Sequence, residues 1–132
     1  MPPKITKGIK SLLAEANALV STISVAQAQG LTDSDAHVFI DLRDYRELKR
    51  EGKVPGAFSC PRGMLEFWVD PDSPYHKDIF SQDKTFVLYC ASSWRSALAA
   101  KTMMEMGLTS VVHVDGGFGQ WKKHGAPVET LG

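Results

Sequence analysis

Apolar positions along the chain fall into short continuous runs separated by amphipathic stretches. Near the N-terminus, Ile9, Leu12, Leu13, Ala16, Leu19 and Val20 recur at three- and four-residue spacing. That spacing predicts an amphipathic helix over 8–20. Its apolar face must be covered, either by its own domain or by a second copy of the chain. Val38-Phe39-Ile40-Asp41-Leu42 is a short apolar run ending in charge, the pattern of a buried strand. Asp44 caps a short helix over Tyr45–Arg50, which Gly52 stops. Val54-Pro55-Gly56-Ala57 is a turn into a short strand around Phe58. Residues 63–69 form a helix, and 70–74, with two prolines and two aspartates, a loop. Thr85-Phe86-Val87-Leu88-Tyr89 is the clearest strand, β-branched, aromatic and continuous. A helix follows over about 94–106, with Gly107 at its C-terminal end. Val111-Val112-His113-Val114 is another strand, and Gly116-Gly117 turn the chain into a last short helix around 120–124.

Continuous apolar strands alternating with helices imply a parallel sheet covered on both faces, an α/β fold. The 132 residues suit one core. We divide them into an N-terminal helical extension, 1–21, and a single domain, 22–132. Fifteen basic residues balance fifteen acidic ones. Nothing in that balance points to nucleic acid or to an anionic membrane surface. No apolar run approaches the ~20 residues of a membrane span. Lys4, Lys7 and Lys10 precede the first apolar stretch, and Ala26-Gln27-Ala28 has the form of a signal-peptide cleavage site. Glu15 and Asn17 interrupt that stretch, however, which favours a folded helix and a cytoplasmic rather than periplasmic protein. Two cysteines, Cys60 and Cys90, make no disulfide framework, and without a Cys-x-x-Cys pair or a histidine cluster no metal site is expected.

Cys90 stands directly after the clearest strand and just before a helix, where open α/β sheets bind ligands. The segment is Cys90-Ala91-Ser92-Ser93-Trp94-Arg95-Ser96. Small residues after the cysteine let the backbone curl, so that its N–H groups converge on one point. The following helix aims its positive end there, and Arg95 adds a fixed charge. All three favour thiolate over thiol. The alternative, an inert core cysteine at a strand end, leaves that order of strand, cysteine, small loop, arginine and helix unexplained.

This loop, Cys90, four residues, Arg95, then Ser96, resembles the active-site loop of the rhodanese family, and the similarity runs along 22–129. Ile40-Asp41-Leu42-Arg43 is similar to the family's Asp-x-Arg strand end, and Glu47 to a recurring acid in the helix after it. Gly52-Lys53-Val54-Pro55-Gly56-Ala57 resembles the family's Gly-His-Ile-Pro-Gly-Ala turn. Asp115-Gly116-Gly117, Trp121 and the Gly125/Pro127 ending resemble its C-terminal signature. The resemblance implies a three-layer fold with a five-stranded parallel sheet and, here, an extra N-terminal helix. It implies a sulfurtransferase with no cofactor. Sulfane sulfur would pass from a small donor, thiosulfate or a persulfide, to Cys90 and on to a thiol, cyanide or a protein acceptor. Cys90 is then the nucleophile. The amides from Ala91 to Ser96 cradle the persulfide, with the Ser92 and Ser93 hydroxyls assisting. Arg95 braces the loop through an acid, Glu47 or Asp41, and Asp41, Arg43 and Glu47 support it. The same resemblance leaves monomer and homodimer open.

Related phosphatases and arsenate reductases place five residues between Cys and Arg; this chain has four, which favours sulfur over phosphate. Many family loops carry Arg or Lys directly after the cysteine and Gly two before the arginine, where this chain has Ala91 and Ser93. Thiosulfate thereby loses a counter-charge, and Trp94 adds an apolar lip, so a persulfide is the expected donor. A non-catalytic binding module is the competing class. Cys60 is expected to be a buried thiol, with a resolving role opposite Cys90 as the alternative. Phe67 and Trp68 are candidates for the pocket mouth or for ordinary core, and His113 and His124 for packing or surface roles.

Overall fold

The centre of the sheet is strand β2 (His37–Asp41) paired in parallel with strand β4 (Thr85–Tyr89), from His37 opposite Thr85 to Asp41 opposite Tyr89. Phe39, Ile40, Phe86, Val87, Leu88 and Tyr89 are all buried. Burial on both faces is why these strands read as continuous apolar runs. Strand β5 (Val111–Val114) pairs with β4, strand β3 (Phe58–Ser59) with β2, and strand β1 (Ser21–Ile23) with the outer side of β5. The computed structural model describes residues 2–132 and has one five-stranded parallel sheet, ordered β1-β5-β4-β2-β3.

Each face carries its own core. On one, Ile40, Leu42, Leu88 and Cys90 pack with Leu65 and Val69 of helix α4 (Leu65–Val69) and with Ala99, Ala100 and Met103 of helix α5 (Trp94–Glu105). On the other, Phe39, Val87 and Tyr89 pack with Val25 and Ala28 of helix α2 (Val25–Gln29) and with Phe118 and Trp121 of helix α6 (Gly117–Lys123). Trp121 also donates Nε1–H to Pro127 O at 2.7 Å, which pins the C-terminal segment.

Helix α1 (Ile9–Leu19) lays Leu13 and Ala16 against Ala97 of α5, so its own domain covers that part of its apolar face. Ile9, Leu12 and Leu19 remain exposed. No helix among the described residues is long and apolar enough to cross a membrane.

Two elements escape the sequence reading. Strand β1 has three residues, too few for a periodic signal; it exists because Ser21, Thr22 and Ile23 register against Val112, His113 and Val114. Helix α2 begins with a capping box. Ser24 Oγ accepts from Gln27 N–H at 3.1 Å, and Gln27 Oε1 accepts from Ser24 N–H at 2.9 Å. That Ser-x-x-Gln signature was legible. The triplet resembling a cleavage site, 26–28, lies inside this helix, with Ala28 buried.

Helix α3 (Tyr45–Glu51) starts as expected on Asp44, whose Oδ1 accepts from the N–H groups of Arg46 and Glu47 at 2.9 and 3.1 Å. Asp44→Ala is expected to lower unfolding free energy by about 1 kcal/mol, read from urea denaturation. Helix α6 begins at Gly117, three residues earlier than the sequence suggests. Its N-cap, Gly116, sits at φ 78°.

The topology places the site. From β2 the chain moves outward to β3, and from β4 it moves the opposite way to β5. Strand order therefore reverses between β2 and β4. Open α/β sheets bind ligands outside the carboxyl ends of the strands at that reversal. Cys90 is the first residue beyond β4.

Candidate active site

Residues 90–93 form the loop between β4 and α5. Three of its four carbonyls are tied down. Cys90 O accepts from Phe118 N–H at 2.7 Å, and Ala91 O from Gly119 N–H at 3.0 Å. Ser93 O accepts from Ala97 N–H at 3.1 Å and from the Ser96 hydroxyl at 3.3 Å. Ser93 Oγ accepts from Gly116 N–H at 2.7 Å. With those carbonyls held by α6 and α5, the loop has its N–H groups left over. The amides from Ala91 to Ser96 donate to no protein acceptor among the described residues. Three of them belong to the first turn of α5, where orphan donors and the positive end of the helix coincide. Unpaired donors along a short loop and a helix start are the raw material of an anion-binding nest.

The structure separates the predicted loop residues. Ala91 and Ser92 are exposed, and Trp94 is 54% exposed at the start of α5, which suits a lip. The Ser93 hydroxyl is engaged by Gly116 and the Ser96 side chain is buried against His113. Those two side chains therefore brace the loop, and the Ser93 hydroxyl, which accepts from Gly116, keeps its own proton to donate.

Arg95 does reach an acid, and it is Glu47. NH1 and NH2 donate to the two Glu47 carboxylate oxygens at 2.8 and 3.0 Å. The planar fork fixes α5 to α3 across the reversal point. Asp41, the other candidate, is taken by Arg43: Oδ1 accepts from Nε at 3.0 Å and Oδ2 from NH2 at 2.7 Å. Both partners are fully buried, and Arg43 also reaches Gly52 O at 2.7 Å. The Arg43 guanidinium lies 4.2 Å from the centre of the Phe118 ring. This pair supports the loop from below, through the residue whose amide holds Cys90 O.

The Arg95 hydrogen bonds are the main reason that the Glu47 carboxyl lies below the usual carboxylate range; burial opposes them. A carboxyl lowered on folding contributes stability above its unfolded value, about 4.3, and loses it as pH falls through its lower folded value. Glu47→Gln is expected to flatten the loss of stability below about pH 4.3, measured by urea denaturation at stepped pH. The Arg95 side chain is 39% exposed, so the effect is small.

Cys90 itself is 0% exposed. A cleft of about 450 Å³ lies beyond Gly116, lined by Ser24, Asp115, Gln120 and His124, and Cys90 does not line it. Whatever reaches the thiol must be narrow, or must part the loop.

Cys60 is a buried free thiol, pushed up to about 12 chiefly by burial. It follows β3 as Cys90 follows β4, and β2 runs between them. Continuing the register puts Leu42 between the two cysteines, which are then two strand spacings apart, roughly 9–10 Å. A direct disulfide needs Cα atoms within about 7 Å and so would require backbone movement. Trp68 packs edge-on against Phe58 at 6.0 Å, as ordinary core, while Phe67 is exposed beside Tyr75.

The sequence reads Gly116-Gly117 as the turn into the last helix, and the structure adds a close approach to the Cys90 loop. A Cβ on Gly117 would collide with the carbonyl oxygens of Ser92 and Cys90, and its φ is +56°. Two consecutive glycines just after a strand were the available signal. The contact of His113 with Ser96 was also missed, because it depends on which strands are neighbours.

Comparison with known proteins agrees with this geometry. A Rhodopseudomonas palustris protein of unknown function, described as a possible tyrosine phosphatase, is 56% identical with a TM-score of 0.95, covering 98% of this chain and 99% of that one. The polysulfide-sulfur transferase homodimer of Wolinella succinogenes is 28% identical with a TM-score of 0.70, covering 92% of this chain and 87% of that one. An Allochromatium vinosum sulfurtransferase is 28% identical over 80% of this chain and 90% of its own length. An uncharacterised Synechocystis protein is 32% identical over 80% of this chain, which spans only 54% of that relative. The family model for the rhodanese-like domain matches residues 24–124. With that match, a five-stranded parallel sheet and a cysteine loop at its reversal point, the chain belongs to the rhodanese-like domain family.

Proposed function

We propose that the chain is a sulfurtransferase that carries sulfane sulfur as a Cys90 persulfide. The observation behind this reading is the loop itself. Six successive backbone N–H groups, from Ala91 to Ser96, follow the cysteine at the sheet's reversal point with no protein acceptor among the described residues, and the Arg95–Glu47 fork holds the loop's far end. Such donors stabilise a negatively charged terminal sulfur without reorganising.

In the first half-reaction the Cys90 thiolate attacks the sulfane sulfur of the donor. The donor's S–S or S–SO₃ bond breaks, its remaining fragment leaves with the electron pair, and Cys90 holds the new S–S bond. In the second, a thiolate or cyanide attacks the outer sulfur and Cys90 leaves as thiolate. No net oxidation occurs and no metal or cofactor takes part. Arg95 and Glu47 touch neither sulfur; they position the amides.

Burial of Cys90 favours a narrow donor. A persulfide presents a single terminal sulfur, whereas thiosulfate brings a sulfonate group and two charges to a loop with Ala91 where a basic residue would help. We therefore assign a persulfide as the better donor. The Wolinella relative's polysulfide transfer supports the same class. Higher kcat/KM for thiosulfate than for glutathione persulfide would overturn this choice.

A phosphatase is the second reading, favoured by the description of the Rhodopseudomonas relative. Against it stand the four-residue spacing and an Arg95 whose two terminal nitrogens already serve Glu47. One experiment separates the two. The protein is incubated with glutathione persulfide and weighed intact, and in parallel with p-nitrophenyl phosphate. A gain of one sulfur that disappears in Cys90→Ser, with no phosphate release, supports transfer. Phosphate release without sulfur uptake reverses the assignment, and neither activity points to a binding module.

A further inference from the structure

A second polar group lies beneath the Cys90 loop. His113 sits in β5 between two valines and is 1% exposed. A buried imidazole needs partners for both nitrogens, and it has them. Nε2 lies 3.0 Å from Thr22 Oγ1 on the edge strand β1, and Nδ1 lies 2.9 Å from Ser96 Oγ in the first turn of α5. The Ser96 hydroxyl donates its one proton to Ser93 O at 3.3 Å. For the Ser93 carbonyl to keep that proton, the Ser96 lone pair must face His113, which requires the ring proton on Nδ1 and leaves Nε2 to accept from Thr22. Burial pushes the ring's pKa down, which keeps it neutral as this arrangement requires.

The chain of bonds thus runs from the edge strand to the carbonyl of Ser93, the last loop residue before α5. That carbonyl also accepts from Ala97, and the side chain of the same residue accepts from Gly116. Ser93 is therefore held at three points, and one of them is set by His113. We propose that His113 is a positioning residue for the Cys90 loop, orienting the Ser96 hydroxyl so that the Ser93 carbonyl is held back and the loop amides face the sulfur. This rests on the sulfur-transfer reading for its effect on rate, though not for its effect on the loop.

The test compares three variants. The side-chain amide of asparagine falls where Nδ1–H lies and can keep the Ser96 bond while losing Thr22. Glutamine reaches Thr22 instead, and phenylalanine reaches neither. Two measurements are made on each. Amide exchange at Ala97 and Gly116 is followed by NMR, and transfer from glutathione persulfide to a thiol is measured at steady state. His113→Gln and His113→Phe are expected to speed exchange at those two amides and to lower kcat by roughly tenfold, the size one hydrogen bond sets. KM is expected to change little. His113→Asn is expected to stay within about threefold of the parent on both, again on the scale of a fraction of one hydrogen bond. A merely structural histidine would lower melting temperature in all three without separating Asn from Gln. If Gln matches the parent, or Asn is no better than Gln, the assignment fails. If the parent transfers no sulfur, the functional reading fails, and the exchange data alone still decide whether His113 holds the loop.

Discussion

Cys90→Ser is expected to reduce sulfur transfer at least about 10⁴-fold, below the detection limit of a thiocyanate or thiol-persulfide assay. Sulfur has no other resting place. A serine oxygen cannot form the S–S bond that stores the cargo, and the second thiol in the chain is unsuited to take over. Cys60 is fully buried, burial pushes it up to about 12, and it lies on the far side of β2 from the loop amides. At neutral pH it stays a protonated core side chain. Cys60→Ser is therefore the matched control, with transfer expected to persist. The cost in stability should be modest for both, about 1–3 kcal/mol for a hydroxyl placed among apolar neighbours. Cooperative urea unfolding of Cys90→Ser would show that lost activity is not lost fold. Transfer surviving in Cys90→Ser above about one hundredth of the parent rate would remove Cys90 as the carrier.

The strands that build this site were legible because they are buried on both faces. β2, β4 and β5 read as unbroken apolar runs, and β4 and β5 fall on the expected residues, 85–89 and 111–114. The position of the cysteine was legible for a related reason: a residue directly after a clear strand and before a helix lies at the carboxyl end of the sheet. What escaped was short or non-local. β1 has three residues and becomes a strand only by pairing with β5, and pairing is not written in a period. The partner of Arg95 was narrowed to two acids. Choosing between them needed the knowledge that Arg43 neutralises Asp41 within the same strand end. The Ser92 and Ser93 hydroxyls were assigned to the ligand because hydroxyls near a nucleophile suggest contact. In the fold, the Ser93 oxygen also accepts from an amide 23 residues away in sequence, a bond that braces the loop. On the proposed mechanism the site works through backbone N–H groups, which every residue except proline possesses and which no sequence pattern singles out directly.

Gly117→Ala is expected to be the most damaging glycine substitution, destabilising by roughly 3–5 kcal/mol and removing transfer activity in whatever folds. Two effects combine. The residue sits at φ +56°, where an added Cβ costs about 1–2 kcal/mol. That Cβ would also be driven into the carbonyl oxygens of Ser92 and Cys90, both main-chain atoms of the active loop. The Cys90 carbonyl cannot retreat freely, since it is held by Phe118 N–H at 2.7 Å. Relief must come from moving α6 or the loop, and either movement turns amides away from the sulfur. A graded series makes the argument checkable. A Cβ on Gly63 meets nothing within 4 Å, so alanine there is expected to be near neutral. A Cβ on Gly119 would lie 3.2 Å from Ala91 O, a contact the loop absorbs by shifting a few tenths of an ångström. Urea denaturation should rank the alanine variants Gly63, Gly119, Gly117 in increasing cost. Transfer rates should follow that order, because each step presses harder on the carbonyls whose positions leave the Cys90 amides free. A Gly117→Ala protein as stable and active as the parent would mean that the loop does not need the close approach of α6.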